Sequence, residues 1–113
     1  MADLFKLRVR FVDKSGKPLQ GPEYRVVFHD KDLMSSSTLG QAGLDGNGVA
    51  EAVCAIVDVR GFTHEGKPDV YCTLLHGGQE LKKSRVFHDF DPDRKTGVSG
   101  VANQTLDLGT ITV

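Results

Sequence analysis

No stretch of the 113 residues approaches the roughly 20 consecutive apolar residues that a membrane-spanning helix requires. The opening MADLFKLRVRFVD alternates charged and apolar side chains where a secretory leader would carry an apolar core. The cytoplasm is therefore the expected compartment, and a non-classical export route stays open. A basic excess is lacking as well, because 14 Lys plus Arg stand against 15 Asp plus Glu, for a formal charge of −1. Nucleic-acid binders gather positive charge on one face or in one run. The longest basic cluster here is Lys82-Lys83 with Arg85, which reads as a solvated strand edge with Lys83 and Arg85 on one face. Neither nucleic acid nor a membrane is expected as a partner. Cysteine is scarce: Cys54 and Cys72 form no C-x-x-C pair, so neither a zinc knuckle nor a redox motif is supported. In a reducing compartment they read as small core-filling residues, with a disulfide as the alternative. There is no G-x-G-x-x-G and no P-loop, and Gly46, Gly48, Gly77 and Gly78 are accounted for by turns.

What the sequence does have is period-two alternation. In Phe5-Lys6-Leu7-Arg8-Val9-Arg10-Phe11 every odd residue is apolar and every even one basic. A strand sends those two sets to opposite faces of a sheet, whereas a helix would scatter them around its axis. Tyr24, Val26 and Phe28 begin a second strand after the breaks DKSGKP and Gly21-Pro22; residues 31–38 read as a surface loop, and a short strand is expected near Leu39 to Leu44. Asp45-Gly46-Asn47-Gly48 predicts a hairpin turn into a Val- and Ala-rich run over Val49 to Val59, read as a strand buried on both sides or bent at Ala55, with a short helix as the rival reading. Arg60 to Pro68 reads as a loop, Asp69 to His76 as a strand, Gly77-Gly78 as a tight turn, Glu80 to Phe90 as its partner strand and 91–100 as a polar loop. Thr105 to Val113 closes the fold inside a strand, which is either tied into a sheet or the end of an excised segment. A single domain over 1–113 is expected, since a chain of this length buries roughly two-thirds of its unfolded surface in one core. The expected fold is all-β: a seven- to eight-stranded antiparallel Greek-key β-sandwich.

The opening strand with FVDKSGKPLQGPEYRVVF, the DGNG turn, the strand DVYCTLL and the closing LDLGTITV together resemble the transthyretin-like (prealbumin-like), or carboxypeptidase regulatory-like, β-sandwich superfamily. The likeness spans nearly the whole chain and lies in turn and strand patterns. It implies one of three roles. Some members carry small hydrophobic ligands at a tetramer interface. Others are non-catalytic appendages, including adaptor segments on type VI secretion spike proteins that recruit cargo. A third branch, hydroxyisourate hydrolase, resembles a site of two histidines, an arginine and a C-terminal Tyr-Arg-Gly-Ser. Here the chain ends Ile111-Thr112-Val113 and the first strand holds Arg8 and Arg10 but no histidine, so none of that site carries over.

Candidate chemistry is sparse. His29-Asp30 and His88-Asp89 each end an expected strand and would form part of a metal site if they met at one pole of the sandwich. Asp89-Phe90-Asp91-Pro92-Asp93 places three carboxylates at alternate positions, a spacing hard cations favour, although an EF-hand would need Gly and Glu where Arg94 and Gly100 stand. The competing reading of His29, His88, Asp89, Asp91 and Asp93 is that of solvated strand ends and an acidic loop. No catalytic residue, cofactor or cofactor-binding residue is assigned. Ser35-Ser36-Ser37-Thr38 lacks the surroundings of a nucleophile elbow, and the two cysteines lie within strands rather than at an activating helix terminus. The leading expectation is a non-enzymatic binding or assembly module of protein–protein or cargo-adaptor type, in a larger secretion or surface assembly or paired with its own copies. Strand edges invite such pairing unless guarded, and the Lys/Arg-studded first strand reads as a guard. The alternatives are a small-molecule hydrolase with His29 or His88 as base and a calcium-dependent carbohydrate- or protein-binding domain.

Overall fold

The computed structural model describes residues 4–31, 36–55, 69–88 and 102–113. Seven strands occupy them: β1 (Leu4–Val12), β2 (Tyr24–Lys31), β3 (Ser36–Gly43), β4 (Val49–Ala55), β5 (Val70–His76), β6 (Gln79–Lys83) and β7 (Ala102–Thr112). They build a three-stranded sheet in the order β4-β1-β7 and a four-stranded sheet in the order β3-β2-β5-β6, with no helix among the described residues. The alternation in β1 does what it predicts. Phe5, Leu7, Val9 and Phe11 are wholly buried, and Lys6, Arg8 and Arg10 lie on the outer face. They form one core with Val26, Phe28, Val70, Cys72 and Leu74 from the other sheet. Each large side chain so buried stabilises the fold by about 1.5–3 kcal/mol.

The two sheets are joined along one side. Gly40 of β3 lies against Ala52 of β4, and the Cys54 thiol donates to the Leu39 carbonyl at 3.3 Å. This contact gives the order β1, β4, β3, β2 around the sandwich, which is a Greek key. On the opposite side β6 and β7 make no comparable contact among the described residues. The DGNG segment therefore turns tightly but joins strands of different sheets, and is not the loop of a hairpin ladder.

Several expectations need correcting. β1 and β7 run parallel, not antiparallel, because Ala102 enters the sheet beside Leu4 and both strands leave the same pole. β3 starts at Ser36 and β2 runs through Lys31, so the loop expected over 31–38 is strand at both ends. β6 stops at Lys83; beyond it Phe87 pairs singly with Val70. Expected strand residues 56–59 and 89–90, the loop expected at 60–68 and the whole polar loop at 91–100 lie outside the described residues. β1 is the central strand of its sheet, so its basic row guards no edge. Instead Arg8 reaches Glu51 of β4 at 3.1 Å and Asp107 of β7 at 3.8 Å, a cross-strand ion pair on each side.

The two turns at one pole share a single design. In Asp13-Lys14-Ser15-Gly16-Lys17 the aspartate N–H donates to the Lys17 carbonyl, the Gly16 N–H to the Asp13 carbonyl, and Asp13 Oδ1 accepts from the Ser15 and Lys17 N–H groups. Asp45-Gly46-Asn47-Gly48-Val49 repeats every one of those bonds at matching positions. The second turn is also held from the segment that follows the first, since Gln20 Nε2 donates to the Gly46 carbonyl at 2.7 Å. Bonds from the Ser15 hydroxyl and the Lys17 N–H hold the Asp13 carboxyl below its ordinary value of 3.8, and N–H bonds from Val49 and Asn47 do the same for Asp45. A carboxyl depressed in the folded chain contributes stability above its unfolded pKa and loses it as pH falls through the folded value. The unfolding temperature is thus expected to drop as pH falls below about 4, and Asp13→Asn with Asp45→Asn should flatten that slope in a thermal melt series.

Candidate functional site

Every second residue of β2 and β5 faces out from the four-stranded sheet, and there the sequence places a small polar cluster. His29 of β2 is paired in register with Tyr71 of β5, and the two rings stack with centroids 4.7 Å apart and planes 19° from parallel. His29 Nε2 lies 3.3 Å from the hydroxyl of the buried Thr73. Lys83, from β6, sets its ammonium 5.5 Å from the centroid of the Tyr71 ring, a cation–π approach, and is 3.9 Å from Glu80. Burial lowers the pKa of His29, and the nearby Lys83 charge pushes it the same way against the opposing Glu80, so the fold favours the neutral imidazole. Tyr71 and Thr73 were not singled out from the sequence, and Lys83 only as a charge on a solvated edge, although the alternation in DVYCTLL already sets Tyr71, Thr73 and Leu75 on one face.

His88 is exposed beside Asp69, with Nδ1 3.4 Å from the carboxylate. The single bridge between Val70 and Phe87 places His88 next to Asp69, while His29 sits across from Tyr71. The two histidines therefore occupy different rows with β5 between them, each held by its own partner. Asp89, Asp91 and Asp93 lie outside the described residues, and among the described residues no three His, Cys, Asp or Glu side chains are placed to hold a metal ion. Asp30, read from the sequence as a solvated strand end, is 1% exposed and points inward, accepting the Asp69 N–H at 3.2 Å. Its inward side follows from the parity of Val26 and Phe28. Cys72 is buried in β5, and that burial pushes its thiol up to about 11, so it stays protonated and unreactive near neutral pH.

The strand that would align Lys83 with Arg85 ends at Lys83. Ser84 interrupts the strand, exchanging bonds with Cys72 through its N–H and its hydroxyl, and Arg85 then lies 3.9 Å over Phe87, which packs on the core. β6 is still an edge, and a guarded one. All five of its residues are exposed, three are charged, and a bulge at Leu81 shifts its register. β7 differs. It pairs with β1 along one side through 11 residues, Ala102–Thr112, which include no Lys, Arg or Pro. Its one charge, Asp107, faces Arg8.

No family model and no curated protein matches the sequence. A solved structure does share the fold. The crystal structure of a 9R-lipoxygenase from Cyanothece PCC8801 superposes with a TM-score of 0.59 at 23% identity, over 98% of this chain. The chain spans only 16% of the length of that lipoxygenase. At this identity the likeness speaks to the β-sandwich alone. No helix among the described residues is long and apolar enough to cross a membrane.

Proposed function

We propose that the chain is a non-enzymatic binding or assembly module, of protein–protein or cargo-adaptor type, which takes its partner by strand addition along β7. The observation that carries this reading is the difference between the edges. β3 and β4 cover one another, three of the five residues of β6 are charged, and β7 offers a longer strand of 11 residues whose single charge, Asp107, faces Arg8. The transthyretin-like resemblance belongs to the same proposal. The segments that carry it fall on β1 and β2, on the β3–β4 turn, on β5 and on β7. A cytoplasmic setting is part of the reading too, and the buried cysteines Cys54 and Cys72, which are not joined to each other in a disulfide, fit it. The hydrolase alternative draws no support from His29 and His88, which are held apart by separate partners.

Amide hydrogen exchange in dilute solution tests this reading. Residues 102–112 should divide into two alternating classes, with amides bonded to β1 protected and those on the free side exchanging fast. Protection of both classes at every concentration would mean the edge is covered within the chain, and the reading would fall.

A further inference from the structure

The outer face of the four-stranded sheet is positively charged, on a chain whose formal charge is −1. Strand register turns Arg25 and Lys31 of β2 and Lys83 of β6 to that side, against Glu80 as its one carboxylate among the described residues. Glu80 lies 3.9 Å from Lys83 and so offsets one cation. Lys31 has no ion pair among the described residues, and the Arg25 guanidinium meets the uncharged Gln41 side chain at 3.4 Å. The outer face of the other sheet differs. There Arg8 is shared by Glu51 and Asp107, and Arg10 Nε donates to the Asn47 carbonyl.

Apolar surface separates the three cations. Val27, Tyr71 and Leu75 are half-buried on the same face, with Tyr71 flanked by His29 from β2 and Lys83 from β6. Thr73 faces out by parity yet is only 6% exposed, so the side chains around it already lie packed over it. A surface set in advance loses less side-chain entropy when a partner arrives. Along β2, Arg25 and Lys31 stand about 20 Å apart, and β6 runs about 10 Å to the side. No small anion spans that distance, whereas an extended peptide of about seven residues does.

We infer that this face docks an acidic peptide segment of a partner protein, with carboxylates on Arg25, Lys31 and Lys83 and apolar side chains over Val27, Tyr71 and Leu75. The apolar strip favours a peptide over an acidic polysaccharide, which has nothing to lay on Val27 or Leu75. This surface is on the sheet opposite β7 and serves whether or not β7 takes a strand.

NMR titration of the isotope-labelled chain with a blocked peptide alternating Asp and Leu tests it. Amide shifts should gather on β2, β5 and β6, with an affinity of about 0.1–1 mM that falls about tenfold between low salt and about 0.5 M salt. Lys31→Glu with Lys83→Glu, both at exposed positions, should weaken binding about tenfold or more. Lys14→Glu with Lys17→Glu makes the same change of net charge in the exposed turn after β1, and should weaken it about twofold or less. Circular dichroism of both pairs should match the native chain. Equal weakening by the two pairs overturns the inference, as do shifts confined to the three-stranded sheet or no shift at about 5 mM peptide. Equal binding of a peptide alternating Asp and Ser also overturns it, because the face would then take any polyanion.

Discussion

Gly48→Ala is expected to destabilise the folded chain by about 3 kcal/mol or more, measured as a shift of the urea unfolding midpoint. Gly48 sits at φ +75°, where a side chain alone costs about 1–2 kcal/mol. The remainder comes from its surroundings. A Cβ there would press on the Phe11 carbonyl oxygen and stand 3.2 Å from both the Leu19 nitrogen and Pro18. Those are the groups that tie the chain together at this pole, since the Phe11 N–H donates to the Gly48 carbonyl at 2.8 Å and the Leu19 N–H to the Phe11 carbonyl at 3.1 Å. Backbone cannot rotate out of the way as a flexible side chain does, so the turn and the end of β1 must separate. Gly46, two residues earlier, meets nothing within 4 Å, and Gly46→Ala should change stability by only about 0.5 kcal/mol or less. Equal losses at the two positions would refute this account of the turn.

Phe28→Ala should cost about 3–5 kcal/mol in the same measurement. Phe28 is wholly buried in β2, between β3 and β5, and belongs to the cluster formed with the β1 residues of the facing sheet. Truncation removes its burial and leaves a hole that neighbours in two pleated sheets fill poorly. Domains of this size are held by about 5–15 kcal/mol in total, so the variant would be near the limit of folding. Phe87→Ala is the comparison. Its ring is half-buried under Arg85 at the margin of the core, and about half that loss or less is expected.

The strands were legible wherever one face is buried and the other wet. β1 is the clearest case, because four core residues and three basic ones alternate without interruption. The end of β7 carries its own irregularity in plain view, since the apolar positions step by two from Leu106 to Leu108 and then by three to Ile111, with Gly109 in the gap. β3 was less legible. Its Ser36-Ser37-Thr38 start and Gly40-Gln41-Ala42-Gly43 finish have neither bulk nor β-branched alternation, and its place comes from contacts with β2 and β4 that no local pattern encodes. The parallel run of β7 depends on where the preceding connection crosses, which spacing does not record. At the polar sites the failure was similar. His29 and His88 look equivalent in sequence, each preceding an aspartate at a strand end, but one is stacked and half-buried while the other is exposed. The inward side of Asp30 could have been read from its even number, in step with Val26 and Phe28, had parity been trusted over charge.

Because the sheets meet along β3 and β4, and β6 and β7 make no comparable contact among the described residues, the sandwich is bound like a book with its spine along β3 and β4. Breathing motions that let water between the layers begin at the fore-edge, where Leu106, Ile111 and Phe87 stand, and reach Gly40 and Ala52 last. Whatever clasps that fore-edge shut also lends the whole volume resistance to heat and proteases.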